Sequence, residues 1–161
     1  MTMQAEMRDL NGQAFYVRTW GDPALPRLLL LHGFPEYGGA WDDFAPLLAE
    51  RFHVIAPDQR GYGRSWAPAD VGHYTASALV SDMVALICDG GPVTVLGHDW
   101  GAGVAYALAF MHTELVSRLI IANGVHPAPF QREMAKGGRQ SEASQYINYL
   151  RAEGSEDRLA A

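Results

Sequence analysis

The stretch 96–102, which reads LGHDWGA, constrains the fold of this chain more than any other part of the sequence. Residues 92–96 are apolar and rich in β-branched side chains, which is typical of a buried strand. Residues 102–111 are nearly all Ala, Val, Leu, Tyr and Phe, which favours a buried helix. The junction has the pattern G-x-D-x-G, in which small residues flank Asp99 at a tight turn from strand to helix.

Two interpretations of Asp99 follow from this pattern. A turn of this kind exposes its central residue in front of a helix N-terminus, where free N–H groups and the helix dipole stabilise negative charge. Asp99 is therefore a candidate carboxylate nucleophile at the place where the motif usually has Ser. The alternative is that Asp99 only caps the helix, because Asp is a favoured N-cap residue.

The rest of the chain alternates strands with helices. An Asn11-Gly12 turn predicts a type I′ hairpin between strands 3–10 and 13–20. Helices are expected from Pro46 onward and after an N-cap at Thr75, in addition to the one after Asp99. The other predicted strands are residues 27–31, 52–56, 92–96 and 116–122. The order predicts an α/β fold with a mostly parallel sheet, an N-terminal antiparallel hairpin and helices on both faces.

Three distinctive loops follow three of the predicted parallel strands. They are residues 32–36, 58–65 and 97–101. Because the carboxyl ends of parallel strands meet at one edge of a sheet, the loops are expected to converge there. Ligands bind at that edge in open sheets of this kind.

Composition excludes several classes of function. The net charge of -6 and the isoelectric point of about 5.4 argue against binding to nucleic acid or to an anionic membrane. Cys88 is the only cysteine, so no internal disulfide is possible, which fits a reducing, cytoplasmic location. We predict the Cys88 side chain to be buried or half-buried at a helix end. No cluster of ligating side chains has metal spacing, and neither a metal nor another cofactor is expected.

The composition of the chain changes after Asn123, and we divide it into domains of residues 1–125 and 126–161. The sequence His126-Pro127-Ala128-Pro129 predicts a stiff linker. Beyond it we predict an amphipathic helix. The residues that share its apolar face are Ala143, Tyr146, Ile147 and Leu150.

Three motifs resemble, in sequence and in order, those of the α/β-hydrolase fold family. They are HGFPE at 32–36, DQRGYGRS at 58–65 and GHDWG at 97–101. Within that family they resemble the epoxide hydrolase branch. The resemblance implies that residues 1–125 form the N-terminal part of an α/β-hydrolase core and that residues 126–161 start a helical cap.

The same resemblance implies a role for each site residue. Asp99 is expected to open a small apolar epoxide and form an alkyl ester, which water then hydrolyses to a diol. The backbone N–H groups of Phe34 and Trp100 are expected to form the oxyanion hole for that hydrolysis. The Phe34–Pro35 peptide is expected to be cis. His32 and His98 are expected to tie loops together by hydrogen bonds.

A cap tyrosine is the fourth candidate. The segment 144–149 resembles the cap segment whose tyrosine donates a hydrogen bond to the epoxide oxygen, and Tyr146 occupies the matching place. A phenol can polarise that oxygen and also supply its proton. The alternatives are that Tyr149 has this role and that Tyr146 only packs.

The chain departs from the family pattern after the cap begins. The family has further strands, an acid and a general-base histidine, and neither His112 nor His126 matches that histidine. We therefore expect a truncated chain, ending after its sixth strand and early cap, that cannot turn over alone. A second chain carrying the C-terminal half, or a homo-oligomer, is expected to cover the edge strand 116–122.

Two alternative functions stay open. A haloalkane or haloacid dehalogenase would use the same Asp nucleophile. However, Phe34 stands where haloalkane enzymes tend to have a halide-binding Asn or Glu, and Trp100 stands where fluoroacetate-type enzymes tend to have Arg. A serine esterase is disfavoured because the elbow lacks Ser. The non-catalytic alternative is an inactive module that self-associates through its open sheet edge.

Overall fold

A computed structural model describes residues 2–160, and six strands form a single sheet within that range. The strands are β1 (Gln4–Leu10), β2 (Gln13–Trp20), β3 (Arg27–Leu31), β4 (His53–Pro57), β5 (Val93–His98) and β6 (Val116–Ala122). Their order across the sheet is β1-β2-β4-β3-β5-β6. Strands β4, β3, β5 and β6 are parallel, whereas β2 is antiparallel to both β1 and β4. The predicted mostly parallel sheet with its antiparallel hairpin is confirmed.

The turn between β1 and β2 has the backbone that its sequence predicts. Asn11 has a φ of 57° and Gly12 a φ of 79°, and a type I′ turn needs positive φ at both central positions. The Gly12 N–H also donates to Asp9 Oδ1 at 2.8 Å. Local sequence chemistry therefore fixes this hairpin.

Helices cover both faces of the sheet, as predicted. The helices of the first 124 residues are α1 (Ala45–Leu48), α2 (Ala76–Ile87) and α3 (Trp100–Met111). Leu29 and Leu31 point from β3 into the core beneath α2 and α3, while Leu28 and Leu30 point into the core beneath α1. This alternation follows from the period of two residues in a strand. It explains why β3 is an uninterrupted apolar run, since it is buried on both faces.

Helix boundaries and burial differ from the predictions in two places. Thr75 caps α2 as predicted, accepting from Ala78 N–H at 3.3 Å. The helix expected from Pro46 onward is only the single turn of α1, with the proline in its first turn. The predicted burial of Cys88 is wrong. Helix α2 ends at Ile87, and Cys88 begins a short 3-10 turn (Cys88–Gly90) in which its side chain is exposed.

The chain divides into two compact units between Gly124 and Val125. The second unit contains α4 (Pro127–Lys136), α5 (Arg139–Ala143), α6 (Gln145–Arg151) and α7 (Ser155–Ala160). The predicted linker at 126–129 is therefore wrong. Pro127 begins α4, because the first turn of a helix needs no N–H from that residue, and His126 accepts from Ala128 N–H at 3.3 Å.

The single amphipathic helix predicted around Tyr146 is also wrong. Ala143 ends α5, and Tyr146, Ile147 and Leu150 lie in α6. The break falls at Ser144, which is buried and accepts from Gln140 Nε2 at 2.9 Å. Short polar side chains compete with the helix for hydrogen bonds, which is why Ser often marks such an interruption. Among residues 2–160, no helix is both long and apolar enough to cross a membrane.

Candidate active site

Asp99 occupies the one-residue junction between β5 and α3. Its φ of 48° and ψ of −115° lie outside the conformations that side-chain-bearing residues normally adopt. Such strain persists only where the surroundings impose it, and it is concentrated at functional sites. The Asp99 side chain is exposed at the carboxyl edge of the sheet, where the sequence places the three loops.

The N-cap interpretation of Asp99 is wrong. Its side chain makes no capping hydrogen bond to α3. Instead, its Oδ1 accepts the backbone N–H of Phe34 at 2.9 Å, from a loop 65 residues earlier in the chain. A carboxylate that is held from outside the helix is oriented by the tertiary structure rather than by helix capping.

Glycines flank Asp99 because neighbouring atoms leave no room for a side chain. A Cβ at Gly101 would lie 2.4 Å from the Leu31 carbonyl oxygen, and one at Gly97 would lie 2.6 Å from the Gly101 carbonyl oxygen. A Cβ at Gly33 would lie 2.7 Å from Asp99 Cβ. The glycines of the G-x-D-x-G motif and of the Gly33 loop therefore permit the close approach of β3, β5 and α3.

The loop after β3 carries the Phe34 N–H in a tight turn. The Phe34–Pro35 peptide is cis, as the motif resemblance implies. The Glu36 N–H donates to the Gly33 carbonyl at 3.0 Å, and the Glu36 carboxylate accepts the Gly33 N–H at 3.0 Å. These reciprocal hydrogen bonds close the turn. Trp100, the first residue of α3, has no acceptor for its N–H within the helix. The structure thus brings Phe34, Asp99 and Trp100 together.

His32 ties two of the loops together, as predicted. Its ring is fully buried and accepts the Gln59 backbone N–H on Nε2 at 3.0 Å. Because Nε2 is an acceptor, Nδ1 carries the proton and donates to the Gly33 carbonyl at 2.9 Å. The Gln59 side-chain amide also donates to the His32 carbonyl at 2.8 Å. Burial lowers the pKa of His32 below that of a free histidine, which favours this neutral ring.

Two residues near Asp99, Tyr62 and Glu36, are not among the site residues that the sequence predicts. The Tyr62 ring packs edge-on against His32 with centroids 5.0 Å apart. Burial raises the pKa of the Tyr62 phenol, and the negative charge of Asp99 raises it further. Glu36 lies 3.4 Å from His98 Nδ1, so it also links the Gly33 turn to β5. Both residues lie in loops that the sequence places at this edge, and that placement is the sequence feature that points to them.

Asp58 lies beneath the same loops and connects them, and the sequence does not predict it as a site residue either. Its side chain is fully buried and accepts from Arg18 at 2.5 Å, from Gly38 N–H at 2.9 Å and from Arg64 N–H at 2.9 Å. Arg18 lies near the faces of two tyrosine rings, with its guanidinium 4.8 Å from the Tyr16 centroid. This buried, paired carboxylate holds the loop after β3 against the loop after β4.

Tyr146 lies in the second compact unit, on α6, and the residue is 61% exposed. Tyr149 is on the same helix and is 50% exposed. Their predicted roles stay predictions. Within residues 2–160, no group of three or more His, Cys, Asp or Glu side chains is suited to hold a metal ion.

Comparison with known sequences decides the family. A model of the α/β hydrolase fold matches residues 26–155. The chain belongs to the α/β-hydrolase fold family. It is 34% identical to an AB hydrolase superfamily protein, YfhM, of Bacillus subtilis, over 92% of this chain and 53% of that protein. It is 40% identical to epoxide hydrolase A of Mycobacterium tuberculosis, over 68% of this chain and 35% of that protein.

Solved structures agree with the sequence relatives. An epoxide hydrolase from metagenomes of hot environments superposes with a TM-score of 0.91 and 39% identity, covering 98% of this α/β hydrolase and 54% of that chain. The Bacillus megaterium epoxide hydrolase superposes with a TM-score of 0.88 and 31% identity, and the match covers 95% of this chain and 54% of that chain. The resemblance to the epoxide hydrolase branch is confirmed. The chain spans about half the length of these structures.

The two glycines near the start of α3 form a matched pair for testing the packing of the elbow. Gly101→Ala should destabilise the fold by more than about 2 kcal/mol, because its Cβ would meet backbone oxygens of Leu31 and His32. Gly103→Ala should stabilise it by about 0.5–1 kcal/mol, since nothing lies within 4 Å and Ala favours a helix. Urea unfolding measures both, and equal effects would contradict the steric argument.

The lowered pKa of His32 predicts a loss of stability in mild acid. As the pH falls below about 6.5, the unfolded chain takes up a proton at His32 that the folded chain excludes. Going from about pH 7.5 to about pH 5.5 should therefore cost up to about 1.4 kcal/mol of unfolding free energy through this residue. In His32→Asn that part of the pH dependence should be absent. His53, whose pKa burial also lowers, remains in both proteins and its contribution cancels.

Proposed function

We propose that this chain carries the nucleophile of an epoxide hydrolase. The observation that carries the proposal is the hydrogen bond from Phe34 N–H to Asp99 Oδ1 at the strained elbow. This bond fixes the carboxylate by one oxygen, and we expect the other oxygen, Oδ2, to attack. The epoxide hydrolases among the relatives and solved structures support the assignment.

The first chemical step is alkylation of Asp99. A lone pair of Oδ2 forms a bond to an epoxide carbon, and the strained C–O bond breaks with its electron pair on the oxygen. The Tyr146 phenol is proposed to donate a hydrogen bond to that oxygen and then its proton. The product is a hydroxyalkyl ester of Asp99.

The second step is hydrolysis of the ester to a diol. Water adds to the ester carbon, and negative charge develops on the ester carbonyl oxygen. This oxyanion would accept hydrogen bonds from the N–H groups of Phe34 and Trp100. Loss of one such donor typically costs about 2.7–4 kcal/mol of barrier. Activation of the water needs a general base that the three motifs do not contain. We therefore expect these 161 residues alone to stop at the ester.

An apolar substituent on the epoxide suits the surface beside Trp100. A pocket at the N-terminal ends of α2 and α3 is lined mainly by apolar and aromatic side chains. Its lining residues are Tyr74, Ala76, Leu79, Trp100, Gly103 and Val104. We propose styrene oxide, which has an aromatic substituent, as the probe.

Asp99→Asn tests the nucleophile directly. The chain, incubated with styrene oxide, should gain the mass of one substrate molecule, located on Asp99 by peptide mapping. Asp99→Asn should gain none because an amide is a much weaker nucleophile, while the exposed Asp43→Asn should react like the wild type. Halide release from a haloalkane with no epoxide adduct would favour a dehalogenase. No adduct at Asp99 from either reagent would contradict the proposal.

Tyr146→Phe tests the proposed proton donor. It should slow adduct formation by about 10²-fold or more, the contribution typical of a general acid. Tyr149→Phe removes a hydroxyl from the same helix and should change the rate by less than about threefold. Rates come from intact-mass measurements over time. The opposite ranking would assign the role to Tyr149, and two unchanged rates would exclude both tyrosines.

A further inference from the structure

We infer that His32 is a positioning residue that orients the Phe34 N–H toward Asp99. The inference deepens the proposed function and rests on it for its consequence in ester hydrolysis. Its structural part depends only on the hydrogen bonds that surround the Gly33–Phe34 peptide. The His32 ring is fully buried and does not reach substrate in this role.

A single peptide group connects His32 to Asp99. The carbonyl of Gly33 and the N–H of Phe34 belong to the same planar peptide. His32 Nδ1–H donates to that carbonyl at 2.9 Å, and the N–H on the opposite side donates to Asp99 Oδ1 at 2.9 Å. Rotation of this peptide would break both bonds together. A hydrogen bond to the carbonyl also polarises the peptide and strengthens its N–H as a donor.

The Gly33 carbonyl receives two donors, which leaves the peptide little freedom. Besides His32, the backbone N–H of Glu36 donates to it at 3.0 Å. A carbonyl oxygen has two lone pairs, so both are used. The Glu36 N–H belongs to the loop itself and moves with it. His32, by contrast, directly follows β3 and is fully buried, so its hydrogen bond ties this peptide to the core of the sheet.

The ring itself is held on its other side. The Gln59 backbone N–H donates to His32 Nε2, and the Gln59 side-chain amide donates to the His32 carbonyl. The Tyr62 ring packs edge-on against the imidazole. Since Gln59 follows β4 and Gly33 follows β3, His32 transmits the position of one loop to the peptide of the other.

Two substitutions separate the two ring nitrogens. The amide of Asn can take the place of Nδ1 and donate to the Gly33 carbonyl, whereas the amide of Gln reaches the place of Nε2 and accepts from Gln59. His32→Asn should therefore keep the peptide oriented, and His32→Gln should release it. This ranking is specific, because a side chain that merely fills space would not distinguish donors from acceptors.

The first readout is amide hydrogen exchange in the ligand-free chain, which is independent of activity. Exchange at Phe34 should be at least about tenfold faster in His32→Gln than in the wild type, and within about threefold of it in His32→Asn. Leu30, which is fully buried in β3, is the internal reference. Equal exchange at Phe34 in all three proteins would overturn the inference, and so would equal acceleration at Leu30 and Phe34.

The second readout is cleavage of the Asp99 ester by hydroxylamine. The hydroxylamine nitrogen attacks the ester carbon, the oxyanion forms and collapses, and the alkoxide leaves with a proton as the diol while Asp99 becomes a hydroxamate. Cleavage should be at least about tenfold slower in His32→Gln than in His32→Asn, because the oxyanion loses an oriented donor. Equal cleavage rates in the two variants would overturn the catalytic consequence.

The outcomes distinguish this inference from the proposed function. If the wild type forms no adduct but Phe34 exchange follows the expected ranking, the proposed function fails while His32 still orients the peptide. If both variants fail to fold, the wild type still gives a test. Nitrogen NMR should find the His32 proton on Nδ1, and a proton on Nε2 would overturn the inference.

Discussion

The hydrogen bond from the Phe34 N–H to Asp99 depends on strand register. Strands β3 and β5 pair in parallel with Leu31 opposite Gly97, so Gly33 and Asp99 each follow two residues later. Because the segments after β3 and β5 leave the sheet side by side at the same level, a Cβ at Gly33 would lie 2.7 Å from Asp99 Cβ. A slip of one residue would turn every side chain of β3 to the other face. The two apolar cores therefore hold the site in register.

The buried polar groups beneath the site have hydrogen-bond partners, and these hydrogen bonds hold the irregular loops in place. Asp58 accepts hydrogen bonds from two loops and from Arg18, and the His32 ring uses both of its nitrogens. An unpaired buried polar group costs free energy, whereas a fully hydrogen-bonded network of such groups makes the loops more rigid. The exposed carboxylate of Asp99 thus lies above the fully buried side chains of Asp58 and His32, which hold its loops in place.

The elements that the sequence predicts correctly are those whose structure is decided by local chemistry. The Asn11-Gly12 turn, the Thr75 cap and the apolar run of β3 each have one favoured outcome. The elements that the sequence predicts wrongly are those where two local patterns compete and contacts elsewhere in the fold decide between them. Pro127 fits a linker and a helix start equally well, and a break at Ser144 divides an otherwise regular apolar face. Cys88 is apolar in character, yet the helix ends one residue before it.

The sequence by itself determined the strand–elbow–helix motif, the alternation that makes a parallel sheet and the edge at which three loops meet. These follow from periodicity and from the small size of glycine, which act over a few residues. Only the tertiary structure decided between capping and an oriented carboxylate for Asp99. The reason is that its partner, Phe34, lies 65 residues away, and no local pattern specifies which backbone N–H reaches it.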